Sequence, residues 1–296
     1  MSMFCFQCEQ TAQSTGCTNH GVCGKDPETA ALQDLLVHVE KGISQHAHCA
    51  RQKGVKDAEA DKFVVEALFT TVTNVNFDPA TIAAMIKRGV DIRNRLQHVC
   101  AQACAAAGNS PKPVQGPASL TIATDQEGMV RQGVSITLEN RLQAFGKDVA
   151  GLQELILYGL KGMAAYMDHA RILGVEDDDI YAFTHETLDV LARSVDDVDA
   201  LVGQALKVGE KNLRVMEMLD AANTGAYGHP EPTQVRVTPV KGNCILVSGH
   251  DLKDLDELLK QTEGKGINIY THGEMLPCLA YPGLKKYKHL VGNYGG

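Results

Sequence analysis

The chain has 296 residues and a formal net charge of -8, with 36 acidic side chains against 28 lysines and arginines. That acidity argues against a nucleic-acid partner, which selects a basic surface. No apolar run approaches the roughly 18 residues that a membrane-spanning helix needs, and tryptophan is absent while Ala, Leu, Val and Gly abound, the balance of a helix-rich protein with no membrane partner.

The first element is a cysteine run, Cys5-x2-Cys8-x8-Cys17-x5-Cys23. A CxxC pair sets two thiolates on one tight turn, and two more complete a four-sulfur set. Thiolates are soft donors that suit iron–sulfur clusters or zinc. Two disulfides or a redox dithiol are the alternatives. The start, Met1-Ser2-Met3-Phe4, shows neither a basic region nor an apolar core, so a cytoplasmic chain is expected, in which such thiols stay reduced unless a metal holds them. Structural zinc usually takes its ligands as two separated pairs. The five residues between Cys17 and Cys23 lean instead toward a cluster.

Residues 1–25 read as this ligand loop. Asp26-Pro27-Glu28 then reads as a helix start, with a capping Asp, a Pro at the first helical position and a Glu at the positive end of the dipole. Leu32, Leu35, Leu36, Val39 and Ile43 follow at helical spacing in a helix expected to cover the loop. Helices are predicted over 63–72 and 82–104, the latter begun by Asp78-Pro79. Residues 108–118 form a Pro/Gly break. Helical periodicity resumes over 149–173, 180–192 and 201–219, with Met163 and Met167 as core, so 26–230 reads as antiparallel helical bundles.

The pattern then changes. Val235, Val237 and Val240 look β-like. Cys244–Val247 reads as a buried strand with Cys244 in the core, followed by Ser248-Gly249-His250-Asp251. Residues 252–262 form an amphipathic helix capped by Asp251, 267–270 a second strand before Thr271-His272-Gly273-Glu274, and 287–291 a third. Such strand–helix–strand units build a parallel sheet that places ligands at the carboxyl ends of its strands, where His250 and Glu274 stand. The fold class is therefore mainly α, with 231–296 as the beginning of a Rossmann-like α/β domain. A sheet this small leaves bare edges, so a longer architecture is expected.

MFCFQCEQTAQSTGCTNHGVCGK, TTVTNVNFD, LYGLKGMAAYMDHA, NTGAYGHPEPTQV and ILVSGHDLKDLDELLKQTEGKGINIYTHGEMLP together resemble the hybrid cluster proteins, also called prismane proteins or hydroxylamine reductases, over the whole chain. The resemblance implies a helical first domain followed by α/β domains. It implies that Cys5, Cys8, Cys17 and Cys23 bind a [4Fe-4S] cluster, since members with wider spacing carry [2Fe-2S]. It further implies that His250 and Glu274 are two ligands of a catalytic hybrid iron–sulfur–oxygen cluster. The family's other ligands to that centre, several cysteines and a further glutamate, lie in a C-terminal half beyond these residues, so a second centre needs a complementing chain or a longer polypeptide.

The function so implied is reduction of a small N–O substrate, hydroxylamine or nitric oxide, with the first cluster as electron relay and an electron-donor protein or reductase as partner; homo-oligomerisation is a further expectation. Imidazole and carboxylate ligands favour iron with open positions. The alternative is a non-catalytic electron-transfer or redox-sensing module, and a third reading is a zinc-stapled helical interaction domain.

Elsewhere, Cys100 and Cys104 share a helix face and read as small buried residues. His46, His48 and Cys49 read as a partly exposed helix end, although His46 and Cys49 at i, i+3 suit a metal. Cys278 reads as an ordinary loop thiol, and His272 as a candidate proton carrier beside Glu274.

Overall fold

The computed structural model describes residues 3–8, 10–73, 75–110 and 114–295; residues 111–113 of the Pro/Gly break lie outside them. The helices begin where short acidic side chains can cap them. Asp26 accepts from the Thr29 N–H at 2.7 Å, Asp78 from Ala80 at 3.0 Å and Asp251 from Lys253 at 2.7 Å. Each such cap satisfies a backbone donor that the first turn leaves unpaired and is worth about 1 kcal/mol.

The chain divides into two units, 1–168 with 177–215 and 169–176 with 216–296. The first is helical. Helices α1 (Pro27–Arg51), α2 (Ala58–Thr70), α3 (Pro79–Ala106) and α4 (Gln126–Ser135) precede α5 (Leu138–Ile172), α6 (Asp178–Ala192) and α7 (Val198–Tyr227), of which α5 and α7 run on into the second unit. Helix α1 packs against α2, α3, α4 and α6 and buries residues around its circumference, Leu32, Leu35, Leu36 and Ile43 among them. A helix apolar all round belongs at a core. Gly133 lets α4 lie directly on α1, because a Cβ there would sit 2.0 Å from the Ala31 carbonyl oxygen. Helix α5 bends at Gly146, whose φ of 79° breaks the helical path, so regular periodicity reads only from beyond that point. Helix α4 was not among the predicted elements; its polar ten-residue run carries too few apolar positions to show a period.

Buried polar groups in this unit are paired. Ser44 Oγ meets His185 Nδ1 at 2.9 Å, His185 Nε2 meets Asp61 at 3.0 Å, and Arg51 donates to the other Asp61 oxygen at 2.7 Å.

In the second unit, strands β1 (Asn243–Val247), β2 (Ile267–Thr271) and β3 (Leu290–Asn293) form a parallel sheet in the order β1-β2-β3. Helix α8 (Leu252–Thr262) connects the first two, and a 3-10 segment (Gly273–Ala280) and the short α9 (Pro282–Lys285) connect the last two. Leu255, Leu259, Ile269, Cys278 and Leu284 form its core.

Three expectations are corrected here. The third strand begins at Leu290 rather than 287, since Leu290 is the residue paired with Ile269. Residues 235–240 are not a strand; Val237 and Val240 are exposed, and the segment meets β3 only through Arg236, whose carbonyl accepts from the Asn293 N–H at 2.9 Å. Cys244 is exposed rather than core, because β1 is an edge strand.

Candidate functional site

The N-terminal loop is folded back on itself by an antiparallel bridge between Cys5 and Cys17, with reciprocal N–H to carbonyl bonds of 3.0 and 2.8 Å. The Thr11 hydroxyl donates to the Cys5 carbonyl at 3.0 Å. Gly16 makes the return possible: its φ is 152°, and a Cβ there would strike the Phe4 ring at 2.6 Å. A second turn, closed by Gly24 N–H to the Gly21 carbonyl at 2.9 Å, presents Cys23. Met3, Cys17 and the α1 residue Ala30 form a small apolar cluster, so the start of α1 backs the loop as expected.

Cys5, Cys8, Cys17 and Cys23 all carry free sulfurs. Cys17 is the buried member, and the Ala12 N–H points at its Sγ from 3.4 Å. Backbone N–H groups of Ala12 and then Val22 hold its thiol below the ordinary value, outweighing the opposing effect of burial. A sulfur so placed is prepared for the thiolate form, the form that ligates metal. Among the described residues no three of the loop's sulfurs converge within 4.8 Å. One tetrahedral ion would bring them to about 3.8 Å, whereas the metal and sulfide of a cluster keep its thiolates farther apart.

Beneath the loop lies a cavity of about 300 Å³ bordered by Cys5, Lys25, Asp34, Lys41, Glu154 and Lys161. Lys25 is buried and donates to Gln33 Oε1 at 2.6 Å. Burial pushes the Asp34 carboxyl up to about 6, against the pull of Lys161, and brings the Lys41 ammonium down to about 8. Burial also pushes the Tyr158 phenol up and the Lys161 ammonium down. Sequence periodicity gave no sign of this cavity, whose charged side chains occupy positions that a helical wheel assigns to solvent.

In the second unit the parallel pairing of β1 and β2 sets their carboxyl ends side by side. His250 Nε2 and Glu274 Oε2 meet there as an ion pair, with side chains 64% and 75% exposed. His272 lies 3.4 Å from Ser248 Oγ through Nδ1. No third ligand atom converges within 4.8 Å of the pair among the described residues. Cys278 is not a loop thiol: it is fully buried in the 3-10 segment, and burial pushes its thiol up to about 12.

The central cysteines also differ from expectation. Cys100 and Cys104 are buried as read, but Cys100 is bonded to Cys49 in a disulfide. His46 is buried rather than partly exposed.

The family model described as Prismane/CO dehydrogenase family matches residues 3–296. The hydroxylamine reductase of Rhodospirillum rubrum is 53% identical over 294 residues, which cover 99% of this chain and 54% of that protein. Those of Syntrophobacter fumaroxidans and Methanocella arvoryzae are each 53% identical over 293 residues, covering 99% of this chain and 53% of theirs. The chain thus spans about half the length of the curated relatives it matches. Among solved structures, the carbon monoxide dehydrogenase of Thermococcus sp. AM4 matches with a TM-score of 0.30 at 16% identity, covering 99% of this chain and 42% of its own. No helix among the described residues is long and apolar enough to cross a membrane.

Proposed function

From the chain's membership of the Prismane/CO dehydrogenase family, an iron–sulfur oxidoreductase family, we propose that it forms the electron-relay part of a cytoplasmic hydroxylamine-reducing protein, with Cys5, Cys8, Cys17 and Cys23 holding a [4Fe-4S] cluster. The observation that carries this reading is the Ala12 N–H aimed at Cys17 Sγ, 3.4 Å away, in a loop of four free thiols. Such N–H···S contacts stabilise a ligating thiolate and tune the electron affinity of its cluster. The spread of the sulfurs favours a cluster over a single zinc ion. When bound, the cluster supplies one-electron transfer to and from a donor protein.

His250 and Glu274 offer a nitrogen–oxygen donor pair, open to solvent, for a second centre. They fit as members of a larger ligand set, which further sulfur donors would have to complete. Conversion of hydroxylamine to ammonia and water takes two electrons and two protons, and nitric oxide reduction makes similar demands. In this chain His272, hydrogen-bonded to Ser248 and two residues from Glu274, is a proton carrier at that strand end.

A second reading, an electron-transfer or redox-sensing module without turnover, is favoured by the pairing of His250 and Glu274 with each other alone. Iron and sulfide analysis of anaerobically purified protein, with assays of hydroxylamine and nitric oxide reduction, separates the two. About four irons per chain with no turnover supports the module, while about eight with turnover supports a completed catalytic centre. Stoichiometric zinc in a colourless protein overturns both.

A further inference from the structure

Helices α1 and α3 pack together, and between them they place three sulfurs at one point. Cys100 and Cys104 lie on one face of α3 at i, i+4, and Cys49 lies near the end of α1. The three Sγ atoms are all within 4.8 Å of one another, with Cys49 and Cys104 3.7 Å apart. They border a cavity of about 680 Å³ that His46 also lines. His46 is 3% exposed, and its Nε2 is buried with no hydrogen-bond partner. An unpaired buried ring nitrogen is costly, and a metal ion is one group that would satisfy it.

We propose that Cys49, Cys100 and Cys104, with His46 as the fourth donor, form a site for one thiophilic divalent cation of the zinc class, closed while Cys49 and Cys100 are bonded. Three sulfurs and one imidazole are an ordinary tetrahedral zinc set. Zinc–sulfur bonds of about 2.3 Å put ligand sulfurs about 3.8 Å apart, close to the 3.7 Å between Cys49 and Cys104. A disulfide that only staples α1 to α3 has no need of a third sulfur or of an unpartnered imidazole beside it. Lys53 and Arg193 line the same cavity and offset the net negative charge of three thiolates around a dication.

Opening the site is a two-electron step. A dithiol reductant gives two electrons and two protons to the Cys49–Cys100 bond, yielding two thiols, and is itself oxidised to a disulfide. The cation then displaces three thiol protons and takes the lone pair of His46. The bonded and metal-bound forms exclude one another, so the site is filled only under reducing conditions. This proposal is independent of the N-terminal cluster and uses none of its ligands.

The test is cobalt and zinc titration of the whole chain, purified anaerobically, with and without prior dithiol reduction and removal of the reductant. The expected result is one more equivalent of Co²⁺ in the reduced chain, with sulfur-to-cobalt charge-transfer absorption. Cys104→Ser and Cys49→Ser each lose that equivalent, Cys244→Ser does not, and His46→Gln binds at least tenfold more weakly. Because the N-terminal thiols are the same in every sample, only the difference is read. Circular dichroism checks folding, and Cys104→Ala serves if Cys104→Ser fails to fold. Equal cobalt binding by the reduced chain and by a folded Cys104 variant overturns the proposal, as does equal binding before and after reduction.

Discussion

The backbone N–H of Ala12 points at the sulfur of Cys17 across 3.4 Å. That contact ties the electronic character of a candidate ligand to one amide of a tight turn, so it can be removed without touching any cysteine. Ala12→Pro deletes the donor. The expected outcome is a four-thiol loop that still takes up iron but releases it about 10–100-fold more readily to a chelator. Thr11→Val, which removes the more distant hydroxyl at 3.7 Å, should release iron at nearly the native rate. Equal release by all three proteins would detach this amide from metal binding.

Among single cysteine changes, Cys17→Ser should abolish the visible absorption of the reconstituted chain, while Cys244→Ser should leave it intact, because Cys244 is exposed on an edge strand of the other unit. Iron analysis beside the absorption spectrum checks both. Retained colour in the Cys17 variant would break the assignment of the loop.

Acid should weaken the helical unit through its histidines. Burial brings the His38 imidazole down to about 4 and holds that of His185 below its ordinary value. A histidine with a depressed folded pKa contributes full stability above its unfolded value of about 6.5 and loses it as pH falls toward the folded value. Asp34, pushed up to about 6, works in the opposite sense: its destabilising effect is present at neutral pH and is relieved as pH falls through 6. Denaturant unfolding between pH 7 and 4.5 should show declining stability. His38→Gln should flatten the curve by up to about 1.4 kcal/mol per pH unit, and an unchanged slope would remove His38 from the account.

Two glycines make a matched stability test. Gly133→Ala would force a Cβ to within 2.0 Å of the Ala31 carbonyl oxygen, an overpacking that should cost at least about 1–3 kcal/mol. Gly162→Ala, inside α5 with open space at the Cβ position, should be neutral or stabilise by about 0.4–1 kcal/mol through the unfolded chain. Thermal unfolding of both variants checks the sign of each.

What the residues revealed and what they hid divides along sequence distance. Asp26, Asp78 and Asp251 were legible as helix starts because a cap is a local bond. The His250–Glu274 meeting was legible because consecutive parallel strands bring their ends together whatever the side chains do. The Cys49–Cys100 bond spans a separation of 51 residues and depends on how α1 meets α3, which no periodicity encodes. Cys244 was misread because a short apolar strand has the same letters at the centre of a sheet and at its edge. Cys278 was misread because the segment after Glu274 coils into a 3-10 turn that points it into the core. The cavity beneath the cysteine loop was hidden because lysine and aspartate on a helix ordinarily mean solvent.

Strand β1 pairs on one side only, with β2. Its outward flank therefore offers main-chain donors and acceptors as a template on which another strand can dock, with Leu246 53% exposed along it. In concentrated solution this flank is where self-association should start, and the exposed thiol of Cys244 would turn a passing encounter into a covalent dimer once oxygen is admitted.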